Sequence, residues 1–424
     1  MPSDLHSMAF NPADPKAALI ELPQSPAVFA LYGAETKDEP YIGRTPNLRG
    51  RLERLLQPSA KHPRRLQLAG RVRRIAWRLT GSDFESLLAQ FSLLEQIYGA
   101  KALERMHLRS PAFIRFLGSN PYPRIVVTNK PSQREADWAY GPFASRAAAE
   151  RYAEEALKLF LLRRCTFDLD PDPSFPGCVY SEMKMCLAPC YKGCTDKRYA
   201  DESTAVQDFL ATRGDSRLIV LRTERDQASA NLEFESAAAH HAQVQRVENV
   251  RALAPELVRP MSQLRAVVLQ ASANPDEVAV FLYENGRLRG PAGFSTLGMR
   301  IQNEQSGSSS LFAQPIAIEP IPEAPATPDS IPEPIPAAPA RPPRGVLEAR
   351  MDATLAALAL NKEQPSPTLR QGHLALLKRW YYRPEVRRPG EIFFPDAESG
   401  WPVKALLRGV GRVAGKMMAT ASRA

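Results

Sequence analysis

The sequence predicts an α+β multidomain protein, and three observations carry that expectation. Its 424 residues are too many for one core and ask for two or three domains. The apolar pattern switches between strand alternation, as in Ile75-Ala76-Trp77-Arg78-Leu79, and helical spacing, as in Leu48, Leu52 and Leu55. Composition breaks between Gln314 and Arg344, where eleven prolines mix with Ala, Glu and Ile. Such a segment makes no core, and 313–345 reads as an extended, semi-rigid linker.

The N-terminus, MPSDLHSMAFNPADPK, lacks the basic and apolar blocks of a signal peptide and reads as a short disordered leader. No apolar run approaches the ~20 residues that cross a bilayer, so the expectation is a cytoplasmic protein with no membrane partner. Residues 20–117 read as a small α/β unit. Ala27–Tyr32 and Tyr41–Gly43 are strands, and Thr45-Pro46-Asn47 starts a helix with proline in its first turn. A third strand covers 75–79. Ser82 is the N-cap of an apolar helix running past Leu94, with Glu85 completing a capping box. In 118–200, a strand at Tyr122–Thr128 is followed by a helix from Arg146 to Arg164 that delivers Cys165. Helices at Tyr199–Ala211 and Ser216–Leu253 place a helical hairpin at 205–254. Strands at Arg265–Leu269 and Glu277–Tyr283, then turn chemistry at Asn285-Gly286, make 260–312 a small β unit. Residues 346–424 return to helical periodicity and end in a basic stretch from Lys404 to Arg423.

The formal net charge is +9, and it is concentrated. Arg44, Arg49, Arg51, Arg54, Lys61, Arg64, Arg65, Arg71, Arg73 and Arg74 lie close together against one acid, Glu53. A charge run is usually a solvated helix face, but such faces intersperse acids. Their scarcity here favours phosphate contacts, with Arg49, Arg54, Lys61, Arg64 and Arg65 as candidate nucleic-acid ligands. The basic aromatic stretch Lys378–Arg383 suits base stacking or, more commonly, a small core.

All five cysteines fall between 165 and 194. Cys165, Cys178, Cys186 and Cys190 are spaced C-x12-C-x7-C-x3-C, and Cys194 follows. A disulfide framework suits small secreted domains. A zinc site usually brings paired CxxC or CxxH spacings. A [4Fe–4S] cluster accepts irregular spacing from an open loop, so it is preferred, with zinc as the alternative and plain thiols third. His240 and His241 are adjacent, point to different helix faces, and read as ordinary surface or core residues.

Several segments, in order, resemble the bacterial excinuclease UvrC family, whose N-terminal nuclease belongs to the GIY-YIG superfamily. They are PYIGRTPNLRGRL at 40–52, TGSDFESLL at 80–88, YGPFAS at 140–145, CLAPC at 186–190, ASANLEFESAAAHHAQVQRV at 228–247 and WYYRPEVRRPGEIFF at 380–394. The resemblance spans roughly 20–300 and 370–395. It implies a nucleotide excision repair endonuclease using one Mg²⁺ or Mn²⁺, acting on double-stranded damaged DNA with a UvrB-like damage-recognition partner. It stops short of the family's RNase H-like and helix–hairpin–helix domains, so one incision is expected rather than two.

Carried over by position, Tyr41 matches the YIG tyrosine and Arg51 the catalytic arginine, while Arg44 stands where lysine is common. Phe29 takes the place of the first tyrosine. Gln90 falls at the metal-binding glutamate, and an amide is a far poorer ligand for a hard cation. Glu85 and Glu95 each sit five residues away, ~140° around the helix. The alternative is therefore a catalytically degenerate DNA- and UvrB-binding accessory factor. The family's cluster cysteines match Cys165, Cys178, Cys186 and Cys190. The segment at 228–247 resembles the UVR hairpin shared with UvrB, and Phe234 is its candidate partner-binding residue.

Overall fold

The computed structural model describes residues 5–35, 39–57, 68, 70–297, 299, 344–360, 364–396 and 400–421. Lys61, Arg64, Arg65 and the proline-rich stretch up to 343 lie outside the described residues. The architecture is α+β, built on three four-stranded antiparallel sheets. No helix among the described residues is long and apolar enough to cross a membrane.

The first sheet has the order β1 (His6–Ala9), β4 (Arg74–Leu79), β2 (Ala27–Tyr32), β3 (Tyr41–Thr45). Strand β2 reads as an unbroken apolar run because both its faces are covered. Ala27, Phe29 and Leu31 pack on α1 (Pro15–Ile20) and α2 (Leu48–Leu56). Val28 and Ala30 pack toward Leu93 of α3 (Asp83–Tyr98). The leader expected to be disordered is instead ordered from β1 onward. Phe10, Leu19 and Leu22 drop into the first core, and β1 pairs along the free edge of β4. Three apolar anchors in a polar stretch are too sparse for a periodicity reading. Helix α3 begins as expected: Ser82 Oγ accepts the Glu85 N–H at 3.1 Å, and the Glu85 carboxylate reaches back to Gly81 N–H at 2.9 Å. Helix α4 (Lys101–Arg105) follows.

The second sheet runs β6 (Ile125–Thr128), β5 (Ala112–Phe116), β7 (Ala139–Phe143), β8 (Arg259–Pro260). Since β5 pairs here, the boundary of the first unit falls before 112 rather than at 117. Neither β5 nor β7 announces itself in sequence. AFIRF is nearly all buried and shows no alternation, and AYGPF contains Gly-Pro. Gly141 is there because a Cβ would sit 2.6 Å from Phe113 Cδ1. Helix α5 (Arg146–Leu157) covers this sheet and stops well before Arg164. The chain turns so that Phe160 and Leu162 enter the core, and the Leu161 N–H is satisfied by the Glu202 carboxylate at 2.6 Å. Short α6 (Val179–Glu182) lies in the cysteine loop. After α7 (Asp196–Ala211), α8 (Asp215–Ala230) and α9 (Phe234–Ala252) form an antiparallel hairpin tied by Arg251–Asp215 and Arg222–Glu248.

The third sheet is β11 (Arg287–Ser295), β10 (Glu277–Glu284), β9 (Ala266–Ala271), β12 (Glu391–Phe393). The sequence separates 260–312 from 346–424 by the linker, but the structure joins them, with Ile392 opposite Val268. Helices α10 (Arg344–Ala359) and α12 (Val403–Ala421) cover one face through Met351, Leu406 and Val410. Helix α11 (Pro367–Tyr381) covers the other and continues onto α3, so one core holds Phe84, Phe91, Phe281, Leu377 and Trp380. The basic aromatic stretch is therefore core at Trp380, which is 1% exposed.

His373 of α11 is buried, and its Nδ1 accepts the Leu288 N–H at 3.0 Å. Burial, then the charge of Arg287, pushes its pKa down to about 3 from an ordinary 6.5. The folded pKa lies below the unfolded one, so the unfolded state binds the proton first. This contribution to stability is complete above pH 6.5 and falls as pH drops toward about 3. The slope is about 1.4 kcal/mol per unit. Urea titrations of wild type and His373→Gln between pH 7 and 4 check this. The variant should lose that part of the slope, and identical slopes would refute it.

Candidate functional site

Strand β3 forms one edge of the first sheet, and its alternation sorts the candidate residues. Tyr41 and Gly43 face the α2 side, where Gly43 pairs with Phe29. A Cβ at 43 would lie 2.8 Å from Phe29 Cζ, so the glycine makes room for that ring. Phe29 is fully buried, with its ring centroid 6.1 Å from that of Tyr41. Arg51, on α2, is half-buried, and its side chain has no ion pair or hydrogen bond among the described residues. Tyr41 and Arg51 thus belong to one side of the edge strand. Arg44 and Gln90, on β3 and α3, belong to the other.

Arg44 is not free. Its guanidinium pairs with Asp83 at the start of α3, and Asp83 also takes Arg383 from beyond the linker at 2.8 Å. Burial raises the Asp83 pKa, but Arg383 and Arg44 outweigh it and hold the carboxyl below its ordinary value. Glu85 is buried against Gly81 N–H and, at 3.5 Å, Arg78. Its pKa is pushed up by burial, partly countered by those two partners. Arg49 Nε and Nη2 donate to the Leu22 and Ile20 carbonyls, both at 2.7 Å, closing the end of α1. Arg54 is exposed, with Nε on the Gly50 carbonyl at 2.9 Å.

Tyr41 also lines an open cavity of about 550 Å³ that includes Glu35, Glu39, Arg71 and Arg73. Two carboxylates beside the tyrosine were missed by the sequence analysis. Glu39 stands two residues before Tyr41, on the same side if the strand is extended backward, which is the signal that would have found it. It pairs with Arg105 at 2.7 Å.

The five cysteines are free thiols. Burial pushes the Cys186 thiol up, an N–H from Ala188 pulls it back, and charge on Cys178, Cys190 and Cys165 adds to the rise. Cys186 is thus within electrostatic reach of the other three. Cys194 is also raised by burial and answers mainly to Arg198 and Asp196. Among the described residues, no three His, Cys, Asp or Glu side chains form a metal-holding group. The loop carries three non-glycine left-handed residues, Lys184, Ala188 and Lys192. Each such residue costs about 1–2 kcal/mol. Beside the loop, Arg163 is 2% exposed. Its Nε donates to the Tyr122 carbonyl at 2.9 Å, and its Nη1 to the Phe167 carbonyl at 2.8 Å and Cys165 Sγ at 3.5 Å. No carboxylate is among those partners. A buried cation of this kind is costly unless paired or fully hydrogen-bonded, and Cys165 Sγ is the one side-chain atom among these contacts.

At the hairpin tip, Phe234 is 68% exposed and Leu232 is 72% exposed. Val244 and Val247 are buried, so the apolar positions divide between tip and core. His240 Nδ1 lies 3.3 Å from Glu224.

Residues 113–212 match the family model described as the UvrC/Cho excinuclease middle domain. The UvrABC system protein C of Alcanivorax borkumensis is 29% identical over 238 residues, covering 56% of this chain and 39% of that protein. That of Carboxydothermus hydrogenoformans is 26% identical over 278 residues, covering 65% and 45%. That of Nitratidesulfovibrio vulgaris is 29% identical over 269 residues, covering 63% and 37%. The chain therefore spans less than half the length of these curated relatives. No solved structure matches.

Proposed function

We propose that this chain, a relative of the UvrC excinuclease family over more than half its length, acts in nucleotide excision repair as a protein that binds damaged double-stranded DNA, with its GIY-YIG-like domain kept as a binding fold. The observation that supports this is the chemistry of α3. The family's metal carboxylate is the amide of Gln90, while Asp83 and Glu85 are committed to Arg44, Arg383, Arg78 and Gly81 N–H. Arg51 remains available for a phosphate.

A second reading, a single-incision endonuclease acting with a UvrB-like protein, is favoured by Glu35 and Glu39 beside Tyr41. In it Glu35 and Glu39 would hold Mg²⁺ or Mn²⁺, which would supply Lewis acidity to the phosphate, while Tyr41 would orient the water and Arg51 would offset the developing charge. A nicking assay on labelled duplex with one bulky lesion, a UvrB-like protein and either cation separates the two. The binding reading expects retained DNA binding, no nicking by wild type, and nicking in Gln90→Glu. Nicking by wild type that Arg51→Ala reduces about 10²–10³-fold would establish the endonuclease.

The partner surface we assign is the hairpin tip. Phe234→Ala should weaken binding of the UvrB-like protein by ~2 kcal/mol or more, the range of buried aromatic anchors. It should leave the melting temperature unchanged, because the ring is solvent-facing. Unaltered affinity would remove Phe234 from the interface. For the cysteine loop, we assign a [4Fe–4S] cluster to Cys165, Cys178, Cys186 and Cys190, with zinc the alternative. A bound cluster would turn those thiols into anionic ligands and cross-link the loop. In that arrangement Arg163 lies beside the charge it offsets.

A further inference from the structure

We propose that the cavity between the second and third sheets binds a nucleoside monophosphate unit, with its phosphate on Lys130 and Arg370 and its base on an apolar wall. The cavity is about 340 Å³, within the range of small-molecule sites. Five separate stretches of chain converge on it: the entry to β5, the loop after β6, the residues following β8, the turn between β10 and β11, and the first turns of α11.

Its charge is one-sided. Lys130 and Arg370 are in the lining, and no carboxylate is. Neither cation has a side-chain hydrogen bond or carboxylate partner among the described residues. Arg370 is also held in place. Asn285 and Gly286 are both left-handed, with φ of 51° and 76°. The stem of Arg370 lies across Gly286 so closely that a Cβ there would be 2.7 Å from Cγ. A guanidinium fixed by its stem with its head unpaired suits a phosphate, which it binds through two parallel hydrogen bonds.

The rest of the lining sets the class of ligand. Met261 and Leu374 contribute an apolar wall. The amides of Asn285 and Gln371 each offer a donor and an acceptor, the pairing that reads a base edge. An inorganic anion would use the cations and waste the wall, whereas a nucleotide uses both. The unit could come from free nucleotide or from one extruded from a DNA strand, and the DNA source rests on the nucleic-acid reading above.

Titration of the full chain with deoxyadenosine monophosphate, deoxyadenosine and inorganic phosphate tests the site. The monophosphate should bind more tightly than either fragment. Arg370→Ala and Lys130→Ala should each weaken it about tenfold or more, with Arg370→Lys between. A duplex carrying one extrahelical 2-aminopurine tests the DNA source. Fluorescence that changes on binding and is lost in Arg370→Ala, with paired-duplex affinity kept, assigns the site to an extruded nucleotide. Monophosphate binding with a silent probe assigns it to free nucleotide. Variants of unchanged melting temperature that treat both probes as wild type does would overturn the proposal, as would no response from either. Loss of the nucleic-acid reading would look different: paired duplex fails to bind while the monophosphate still does.

Discussion

Trp380→Ala is expected to lower stability by ~3–5 kcal/mol, the cost of emptying a large aromatic site in a close-packed core. Trp380 is 1% exposed, its ring lies 5.4 Å from Phe84, and its Nε1–H donates to the Pro389 carbonyl at 3.2 Å. The loss should be felt far from the mutation in sequence, because α11 lies between the third sheet and α3. Gly372 shows how tight that contact is: a Cβ there would fall 1.9 Å from Phe91 Cζ. Residues after 364 thus complete a core shared with α3 of the first unit. Chemical unfolding followed by Trp77 fluorescence, in the first sheet, is the check. A destabilised transition at Trp77 is expected. A first sheet that melts unchanged would mean the two units are energetically independent.

Arg163→Met should also have a large effect, and the metal or chromophore content that goes with it separates two states of the cysteine loop. Methionine keeps much of the stem but leaves the Tyr122 and Phe167 carbonyls without their donors. Each orphaned acceptor costs ~1–3 kcal/mol. If the thiols are anionic ligands, the substitution also removes their counter-charge. Stability should then fall by ~3–5 kcal/mol, as when one partner of a buried pair is lost, and the visible absorbance of an iron–sulfur protein, or bound zinc, should fall with it. If the thiols stay protonated, the cost is that of the two orphaned carbonyls alone, and wild type and variant alike carry neither chromophore nor zinc. A colourless and metal-free wild type would refute the cluster assignment.

The parts of this fold that could be read from sequence were those whose signal is local. Ser82 and Glu85 spelled a helix start and Asn285-Gly286 a tight turn. The strand β2 was visible as an apolar run. What escaped was decided by distant partners. Strand β7 hides behind Gly-Pro because its glycine answers to Phe113. Helix α5 ends early because Phe160 and Leu162 have a core to enter. Strand β12 lies beyond the linker from the strand it pairs with.

The candidate site divides in the same way. The sequence alone determined which chemical groups are available: a tyrosine and three arginines in PYIGRTPNLRGRL, an amide at 90, and four candidate ligand thiols within one loop. Residue identity is a local property, and so is the spacing that sets strand alternation and helical phase. The tertiary structure decided which of those groups are committed. It gave Arg44 to Asp83, Arg49 to the carbonyls ending α1, and a buried guanidinium to the cysteine loop. It left Phe234 in solvent and brought Glu35 and Glu39 beside Tyr41. Commitment depends on what else is within a few ångströms, and in a chain of non-local contacts that neighbourhood is not written next to the residue.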